Sequence, residues 1–242
     1  MFGGTDVVDT LRIIETNLAE VRERIRTSAV NSGRTTDDVT LVAVCKYFGS
    51  DITTFVVEAG CGEIGENRPQ ALWSKASDLA ALDVRFHQIG HLQRNKVRRT
   101  INCIDLLHAG DSLRLINSVS AESVKQGIVT RLLIEVNVSG DQNKHGFRPV
   151  ELESVLEDIA VLPNIAIQGM MAMSGLESDA ANAQREFAQL RELREGLSSC
   201  CPENVSLEHL SMGMTRDYEL AIMEGATIVR IGTALFDGIP RV

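Results

Sequence analysis

A lysine closes a short apolar segment near the start of the chain. Lys46 follows the valine-rich run 41–45, and a run of this length and composition predicts a buried strand. At the carboxyl end of such a strand the lysine would be partly desolvated, which favours the neutral amine that attacks aldehydes. This arrangement is typical of a Schiff base with pyridoxal 5'-phosphate (PLP). The alternative is a structural lysine that extends its ammonium group into water.

Two later segments combine glycines with hydroxyl groups, as phosphate-binding loops do. Ser211 and Gly213 lie at the end of one apolar run, and Gly232 and Thr233 lie at the end of the next. Glycine lets the backbone approach an anion closely, and the hydroxyl groups can donate hydrogen bonds to it. In α/β barrels the loops after strands seven and eight often hold a phosphate. The alternative is a pair of turn glycines, with Thr215 or Asp217 capping the following helix.

An arginine interrupts the last apolar run. Arg230 stands between Val229 and Ile231, so its side chain faces either the outer helices or the mouth of a barrel. A buried, unpaired guanidinium would be strongly unfavourable. We therefore expect Arg230 to face an anionic group or an aromatic nitrogen of a bound ligand.

Two histidines four residues apart raise the question of a metal site. His87 and His91 flank the end of an apolar run, but no carboxylate close to them in the sequence completes a set of ligands. We therefore expect no metal. His91 is expected to hydrogen-bond at the start of the helix that follows.

These residues are positioned by a regular alternation of apolar runs and helical patterns. An amphipathic helix is predicted over 6–31, followed by eight strands over 41–46, 63–66, 84–90, 106–109, 132–138, 165–173, 207–211 and 228–232. Helical patterns lie between them over 51–60, 68–82, 92–100, 111–126, 149–161, 179–198 and 216–225.

Strict alternation predicts a parallel sheet, and eight repeats are the number that closes a (β/α)8 TIM barrel. We therefore predict an α/β fold with residues 1–242 forming a single barrel domain that carries an extra N-terminal helix. An open, doubly wound sheet is the alternative. No G-x-G-x-x-G segment follows an early strand, which weakens a dinucleotide-binding version of that alternative.

Net charge and composition argue against several classes of protein. A formal net charge of −9 disfavours a general nucleic-acid binder, which needs a basic face. The five cysteines form no C-x-x-C pair and fit a reducing cytosol. The N-terminal residues do not resemble a signal peptide, and no apolar run has membrane-spanning length. We expect a cytoplasmic protein that binds neither nucleic acid nor membranes.

Several ordered motifs resemble those of the YggS/PROSC family of PLP homeostasis proteins. They span 41–236 and comprise LVAVCK at 41–46, GENR at 65–68, HQIGHLQRNK at 87–96, Asn137 with KHGF at 144–147, GMM at 169–171, LSMGMTRD at 210–217 and VRIGTALF at 229–236. The family fold is a single (β/α)8 barrel similar to the amino-terminal domain of alanine racemase. The SMGM and RIGT segments together are highly specific to the family.

The resemblance implies a role for each residue of the predicted site. Lys46 would form the Schiff base with PLP, Arg230 would face the pyridine nitrogen, and Asn67 would line the pocket near the ring. The remaining residues implied at the site form its phosphate loops: Ser211, Met212, Gly213, Gly232 and Thr233. Cys45 and Tyr47 depart from the family, where Ser and Thr are common, and neither change removes an implied cofactor contact.

The resemblance favours a PLP carrier over an enzyme. An arginine against the pyridine nitrogen keeps that nitrogen unprotonated, so the ring is a weaker electron sink. Alanine racemases add a tyrosine base from a second domain, and we expect no such domain here. Regular strand alternation would put Tyr47 on the opposite side from Lys46, which makes it a poor second base.

Three functional interpretations of the sequence therefore remain open. The first is a PLP-binding protein that sequesters or carries PLP in vitamin B6 and amino-acid homeostasis, without strong catalytic activity. The others are a PLP-dependent amino-acid racemase and a barrel that binds a different phosphorylated ligand. Candidate recipients of the cofactor are PLP-dependent apoenzymes, and we expect the chain to be a monomer.

Overall fold

The chain folds into a closed barrel of parallel strands surrounded by helices. The structure is a computed structural model that describes residues 4–141, 145–175, 179–198, 201–202 and 205–240. Within these residues the strands pair in chain order, and the eighth closes on the first. The strands are β1 Thr40–Val44, β2 Glu63–Glu66, β3 Arg85–Gln88, β4 Leu106–Gly110, β5 Thr130–Glu135, β6 Ile165–Met171, β7 His209–Met214 and β8 Ile228–Ile231. The predicted (β/α)8 barrel is confirmed.

Helices connect the strands on the outside of the barrel. They are α1 Gly4–Asn31, α2 Ser50–Glu58, α3 Pro69–Asp78, α4 Val97–Thr100, α5 Leu113–Gln126, α6 Leu152–Ala160, α7 Ala180–Ser198 and α8 Tyr218–Met223. Short 3₁₀ helices occupy Thr36–Asp38, Arg94–Lys96, Pro149–Glu151 and Thr233–Phe236. Among the described residues, none of the helices is long and apolar enough to cross a bilayer.

The N-terminal helix packs on the outside of the barrel beside its closing strands. Ile14, Leu18, Val21 and Ile25 recur every three or four residues along α1, and all four are buried. The helix contacts α8 and the last 3₁₀ helix. The Asn17 amide donates hydrogen bonds to the carbonyl groups that end this 3₁₀ helix. The predicted extra helix is therefore part of the packed body of the protein.

Several predicted boundaries differ from the structure, and three of these differences affect the candidate site. β1 ends at Val44, two residues before the predicted end, so Lys46 lies in the turn that follows. β7 continues to Met214 instead of ending at 211, because a register shift against β8, with Gly213 at φ 89°, lets the chain remain in the sheet. The helix predicted over 92–100 consists of a 3₁₀ turn and the single turn α4.

A close approach between β6 and β7 requires a glycine. Gly169 has φ 152°, and a Cβ atom at this position would lie 1.9 Å from the carbonyl oxygen of His209. Two neighbouring backbones therefore occupy the space that any side chain would need. Gly196, within α7, provides a natural contrast, because a Cβ atom added there would meet no atom within 4 Å apart from the adjacent backbone of its own helix.

We predict that Gly169→Ala destabilises the protein by about 3 kcal/mol or more, since the backbone must move at a buried strand pair. Gly196→Ala should raise stability by roughly 0.5–1 kcal/mol, because alanine is the better helix former. Urea unfolding followed by circular dichroism measures both changes. Equal stability of Gly169→Ala and the wild type would contradict the strand geometry.

Candidate functional site

Lys46 lies exposed at the carboxyl-terminal rim of the barrel. It follows β1 in a turn, and its Nζ atom is 5.0 Å from the centre of the Tyr47 ring. Two expectations are corrected by this geometry. Lys46 is exposed rather than desolvated, and Tyr47 lies beside the lysine rather than on the opposite side. Both differences arise because these residues follow the strand, where the alternation of side chains no longer applies.

A buried ion pair lies next to the Lys46 turn. Lys75 of α3 pairs with Glu66 at the end of β2, and the lysine Nζ also donates a hydrogen bond of 2.8 Å to the carbonyl oxygen of Cys45. Burial raises the pKa of Glu66, and the attraction to Lys75 opposes this rise. Because Cys45 directly precedes Lys46, the ion pair fixes the start of the lysine turn. Sequence patterns did not indicate this pair, because its members occupy different elements.

The loop after β8 lies beside the end of β1 and contacts the end of β7. Ala43 pairs with Ile231 in the β1–β8 register, so Gly232 continues alongside Val44. The Gly232 N–H donates a hydrogen bond of 3.3 Å to Thr215 Oγ1. Thr233 is exposed and begins the final 3₁₀ helix. Thr215, which the sequence suggested only as a helix cap, therefore shares a rim site with Gly232.

The segment 211–213 has a more internal position than predicted. Ser211 and Met212 are fully buried within β7 rather than in a loop after it. Gly213 is held against α8, where an added Cβ atom would lie 2.8 Å from the Cα atom of Tyr218. The segment 211–213 therefore lies deeper in the barrel than the loop after β8. The structure does not bring the Ser211 hydroxyl to the rim beside Thr233.

The side chain of Arg230 faces the barrel interior. The sequence had left open whether it faces the outer helices or the barrel. Its guanidinium donates to the Ser211 carbonyl oxygen at 2.8 Å, to Ser211 Oγ at 2.5 Å and to the Ala172 carbonyl oxygen at 3.0 Å. Burial lowers the pKa of Arg230 to about 10, although the nearby Glu135 and Asp217 carboxylates oppose the shift. The group therefore remains protonated at neutral pH, two residues before Gly232.

A chain of polar contacts crosses the barrel from Arg230 to its far side. Ser211 Oγ lies 2.8 Å from His108 Nδ1, and His108 Nε2 lies 2.8 Å from His87 Nδ1. His87 Nε2 then lies 2.7 Å from Glu63 Oε2. Burial, followed by the charges of His87 and Arg230, lowers the pKa of His108 well below its usual value. His108 is thus a neutral link that can donate from only one of its ring nitrogens.

This polar chain was not predicted from the sequence, although a signal for it existed. His87 and His108 occupy interior positions of β3 and β4, and each stands between apolar or uncharged neighbours in a strand pattern. A histidine in such a pattern indicates a buried polar partner on a neighbouring strand.

Asn67 occupies the rim after β2. Its carbonyl oxygen accepts a hydrogen bond of 3.2 Å from Gln88, and it lies close to Gly90, where an added Cβ atom would be 2.6 Å from that oxygen. The loops after β2 and β3 therefore touch at this point. Of the motif residues in the loop after β5, Lys144 lies outside the described residues, whereas His145 and Gly146 are described.

Similar proteins share both the sequence and the barrel. The chain is 38% identical over 219 residues to the pyridoxal phosphate homeostasis protein of Aquifex aeolicus, and the match covers 90% of this chain and 95% of that protein. The chain belongs to the pyridoxal phosphate homeostasis protein family. The family member of Pseudomonas aeruginosa is 37% identical over 223 residues, covering 92% of this chain and 94% of its own length. The family described as alanine racemase, N-terminal domain, matches residues 14–240.

Solved structures of related proteins have the same fold. PipY of Synechococcus elongatus, solved with PLP bound, superposes with a TM-score of 0.82 at 32% identity, covering 92% of this chain and 99% of that chain. An unknown protein from Bifidobacterium adolescentis gives a TM-score of 0.89 at 34% identity, and the match covers 98% of both chains. Alanine racemase of Clostridium difficile, at 13% identity and a TM-score of 0.73, shares the fold; the match covers 95% of this chain and 59% of the racemase.

Glu63, at the far end of the polar chain, makes the free energy of unfolding depend on pH. Burial alone would raise the pKa of Glu63, but hydrogen bonds from His87 and Arg85 outweigh it and lower the pKa to about 2 from 4.5. Because the folded pKa is the lower one, the stabilisation is complete above the unfolded pKa and is lost as the pH falls towards the folded value.

We predict that Glu63→Gln flattens this acid-range dependence. Between about pH 6 and about pH 3 the wild type should lose roughly 1–2 kcal/mol more unfolding free energy than Glu63→Gln. Urea unfolding at the two pH values measures the difference. Glu153→Gln, which removes an exposed carboxylate from α6, controls for the change in net charge and should behave as the wild type does. Parallel acid dependence in the wild type and Glu63→Gln would contradict the assignment.

Proposed function

We propose that this chain is a PLP-binding protein that holds the cofactor at Lys46, sequesters or carries it, and so takes part in vitamin B6 and amino-acid homeostasis. The observation that carries this proposal is the pairing of β1 with β8. This pairing places an exposed lysine beside a loop of backbone N–H and hydroxyl donors on the neighbouring strand. PipY, which is similar over nearly its whole length, was solved with PLP bound.

The residues at the rim fit the chemistry of PLP. When bound, PLP supplies an aldehyde that a lysine amine converts to a Schiff base, and Lys46 offers an accessible amine for it. Thr233 and Thr215 offer hydroxyl donors for a phosphate close to the lysine turn, and Gly232, whose N–H holds Thr215, carries no side chain that would obstruct it. Asn67 would line the pocket on the β2 side.

Buried residues would support this site from below. Arg230 would face the pyridine nitrogen, and its protonated guanidinium would keep that nitrogen unprotonated. Ser211 accepts a hydrogen bond from Arg230 and so holds it in place. Met212 and Gly213 would shape the phosphate side of the pocket, since they set the path of β7 towards Thr215.

The geometry supports a carrier better than a racemase. A racemase needs two acid/base groups on opposite faces of the cofactor. Tyr47 lies beside Lys46, and Tyr218 is buried within α8. Neither tyrosine therefore lies across the pocket from the lysine. We infer that residues 1–242 act as one PLP-binding domain and as a monomer without strong catalytic activity, with PLP-dependent apoenzymes as candidate recipients.

We predict that mixing the protein with PLP produces the visible absorption band of a lysine-bound cofactor, and that borohydride removes this band. Lys46→Ala should lose or visibly shift it, because the attacking amine is gone. Lys125→Ala is the matched control, since Lys125 is an exposed lysine on α5 far along the chain from the site. Its band should equal that of the wild type.

Two results would contradict the proposal. A protein that gains no band with PLP would indicate a barrel for a different phosphorylated ligand. Interconversion of alanine enantiomers well above the rate given by free PLP, and lost in Lys46→Ala, would favour the racemase over the carrier.

We predict that Thr233→Val and Thr215→Val each weaken PLP binding by roughly tenfold, because each removes a hydroxyl donor worth about 1.5 kcal/mol to a charged phosphate. Binding of pyridoxal, which lacks the phosphate, should change little. Equilibrium titration followed by absorbance measures both ligands. Thr16→Val, on the exposed side of α1, is the control. Equal losses for PLP and pyridoxal would place these hydroxyl groups away from the phosphate.

A further inference from the structure

A second group of polar side chains lies on a different arc of the rim. His91 follows β3, Asp111 follows β4 and His145 follows β5. One potential ligand atom from each residue lies within 4.8 Å of the other two. The carboxyl ends of three consecutive parallel strands bring these residues together, although they are far apart in the sequence.

The carboxylate of this group is buried and oriented. The Asp111 side chain is 3% exposed, and its Oδ2 atom lies 2.5 Å from His91 Nδ1. Its Oδ1 atom accepts a hydrogen bond of 3.0 Å from Ser112 Oγ. The carboxylate is thus fixed from both sides, and its Oδ2 atom faces the exposed His91.

His145 is anchored by the strand that precedes it. Phe147 N donates to the Glu135 carbonyl oxygen at 2.8 Å, and Asn137 N donates to the Phe147 carbonyl oxygen at 2.9 Å. Gly146, at φ 103°, makes the turn that brings the loop back onto β5. The loop therefore presents His145 at a defined place on the rim.

We propose that His91, Asp111 and His145 bind a divalent transition-metal ion of the Zn²⁺ class. Two imidazole nitrogens and one carboxylate oxygen suit Zn²⁺, Co²⁺ or Ni²⁺, whereas Mg²⁺ and Ca²⁺ prefer sets made only of oxygen ligands. Three protein ligands leave a coordination position open to water or to a small ligand at the barrel mouth.

The imidazole rings have room to adopt a ligating arrangement. The rings of His91 and His145 are stacked, with centres 4.5 Å apart and planes inclined by 13°. A metal ion lies in the plane of each ring that binds it, so His145 must turn about its side-chain bonds. Both histidines are exposed, and the turn disturbs no buried packing.

This site revises the expectation that the chain binds no metal. His87 is committed to the interior chain with His108 and is not a partner for His91. The missing carboxylate comes from Asp111, on the next strand. The three proposed ligands differ from the residues proposed to hold PLP, because Lys46 follows β1, Asn67 follows β2 and the phosphate donors follow β7 and β8.

Metal titration of the untagged, full-length apoprotein tests this proposal. Co²⁺ is followed by its visible absorption and Zn²⁺ by calorimetry, and the wild type should bind one ion. His91→Ala, His145→Ala and Asp111→Asn should each weaken binding at least tenfold, by analogy with losses of about 10–100-fold seen when even outer-shell partners are removed. His209→Ala, which removes a histidine of β7 outside the group, is the matched control and should retain wild-type affinity.

Two outcomes would overturn the metal site. The first is a wild type that binds Zn²⁺ and Co²⁺ no more tightly than the exposed-residue variant His91→Ala/His145→Ala. The second is a loss of metal affinity in His209→Ala that equals the loss in the ligand variants. The PLP absorption band, recorded on the same variants, separates this test from the proposed function. It should persist in His91→Ala/His145→Ala whether or not metal binds.

Discussion

The hydrogen-bonded pairing of β1 with β8 is the interaction on which the site depends. It closes the barrel and aligns Ala43 with Ile231, so that the chain leaves β1 towards Lys46 beside the point where it leaves β8 towards Thr233. An open sheet with the same strands would put these two segments at opposite edges. Closure also gathers the carboxyl ends of all the strands on one rim, where the His91–Asp111–His145 group forms beside a different set of strands.

The barrel interior contains polar groups that only mutual hydrogen bonds make tolerable. Arg230 donates hydrogen bonds to Ser211 and to the Ala172 carbonyl oxygen. The neutral His108 hydrogen-bonds in turn with His87. The Lys75–Glu66 ion pair is similarly buried beside the lysine turn. Breaking one member of a buried pair leaves an uncompensated charge and typically costs about 3–5 kcal/mol. Forming such a pair adds little net stability, because the desolvation of both groups offsets their attraction. These groups nevertheless fix the orientation of the rim residues that they contact.

The fold and the place of Lys46 near the carboxyl end of β1 were predictable because both follow from local patterns, whereas the exposure of the lysine was not. Most strands of the parallel sheet lie within short apolar runs, and the polar strand Glu63–Glu66 was also identified correctly. The contacts that complete the site could not be predicted in this way. The extension of β7 depends on a bulge at Gly213, and the pairing of His91 with Asp111 joins two different strands. Both are consequences of three-dimensional register, which a single sequence does not specify.

The most direct test of the proposed site locates the cofactor on the chain. The full-length protein is incubated with PLP, reduced with borohydride and digested, and its peptides are measured by mass spectrometry. We expect the phosphopyridoxyl group on Lys46, which is exposed at the rim. Its attachment to Lys75 or to scattered surface lysines, with Lys46 unmodified, would contradict the assignment of the site.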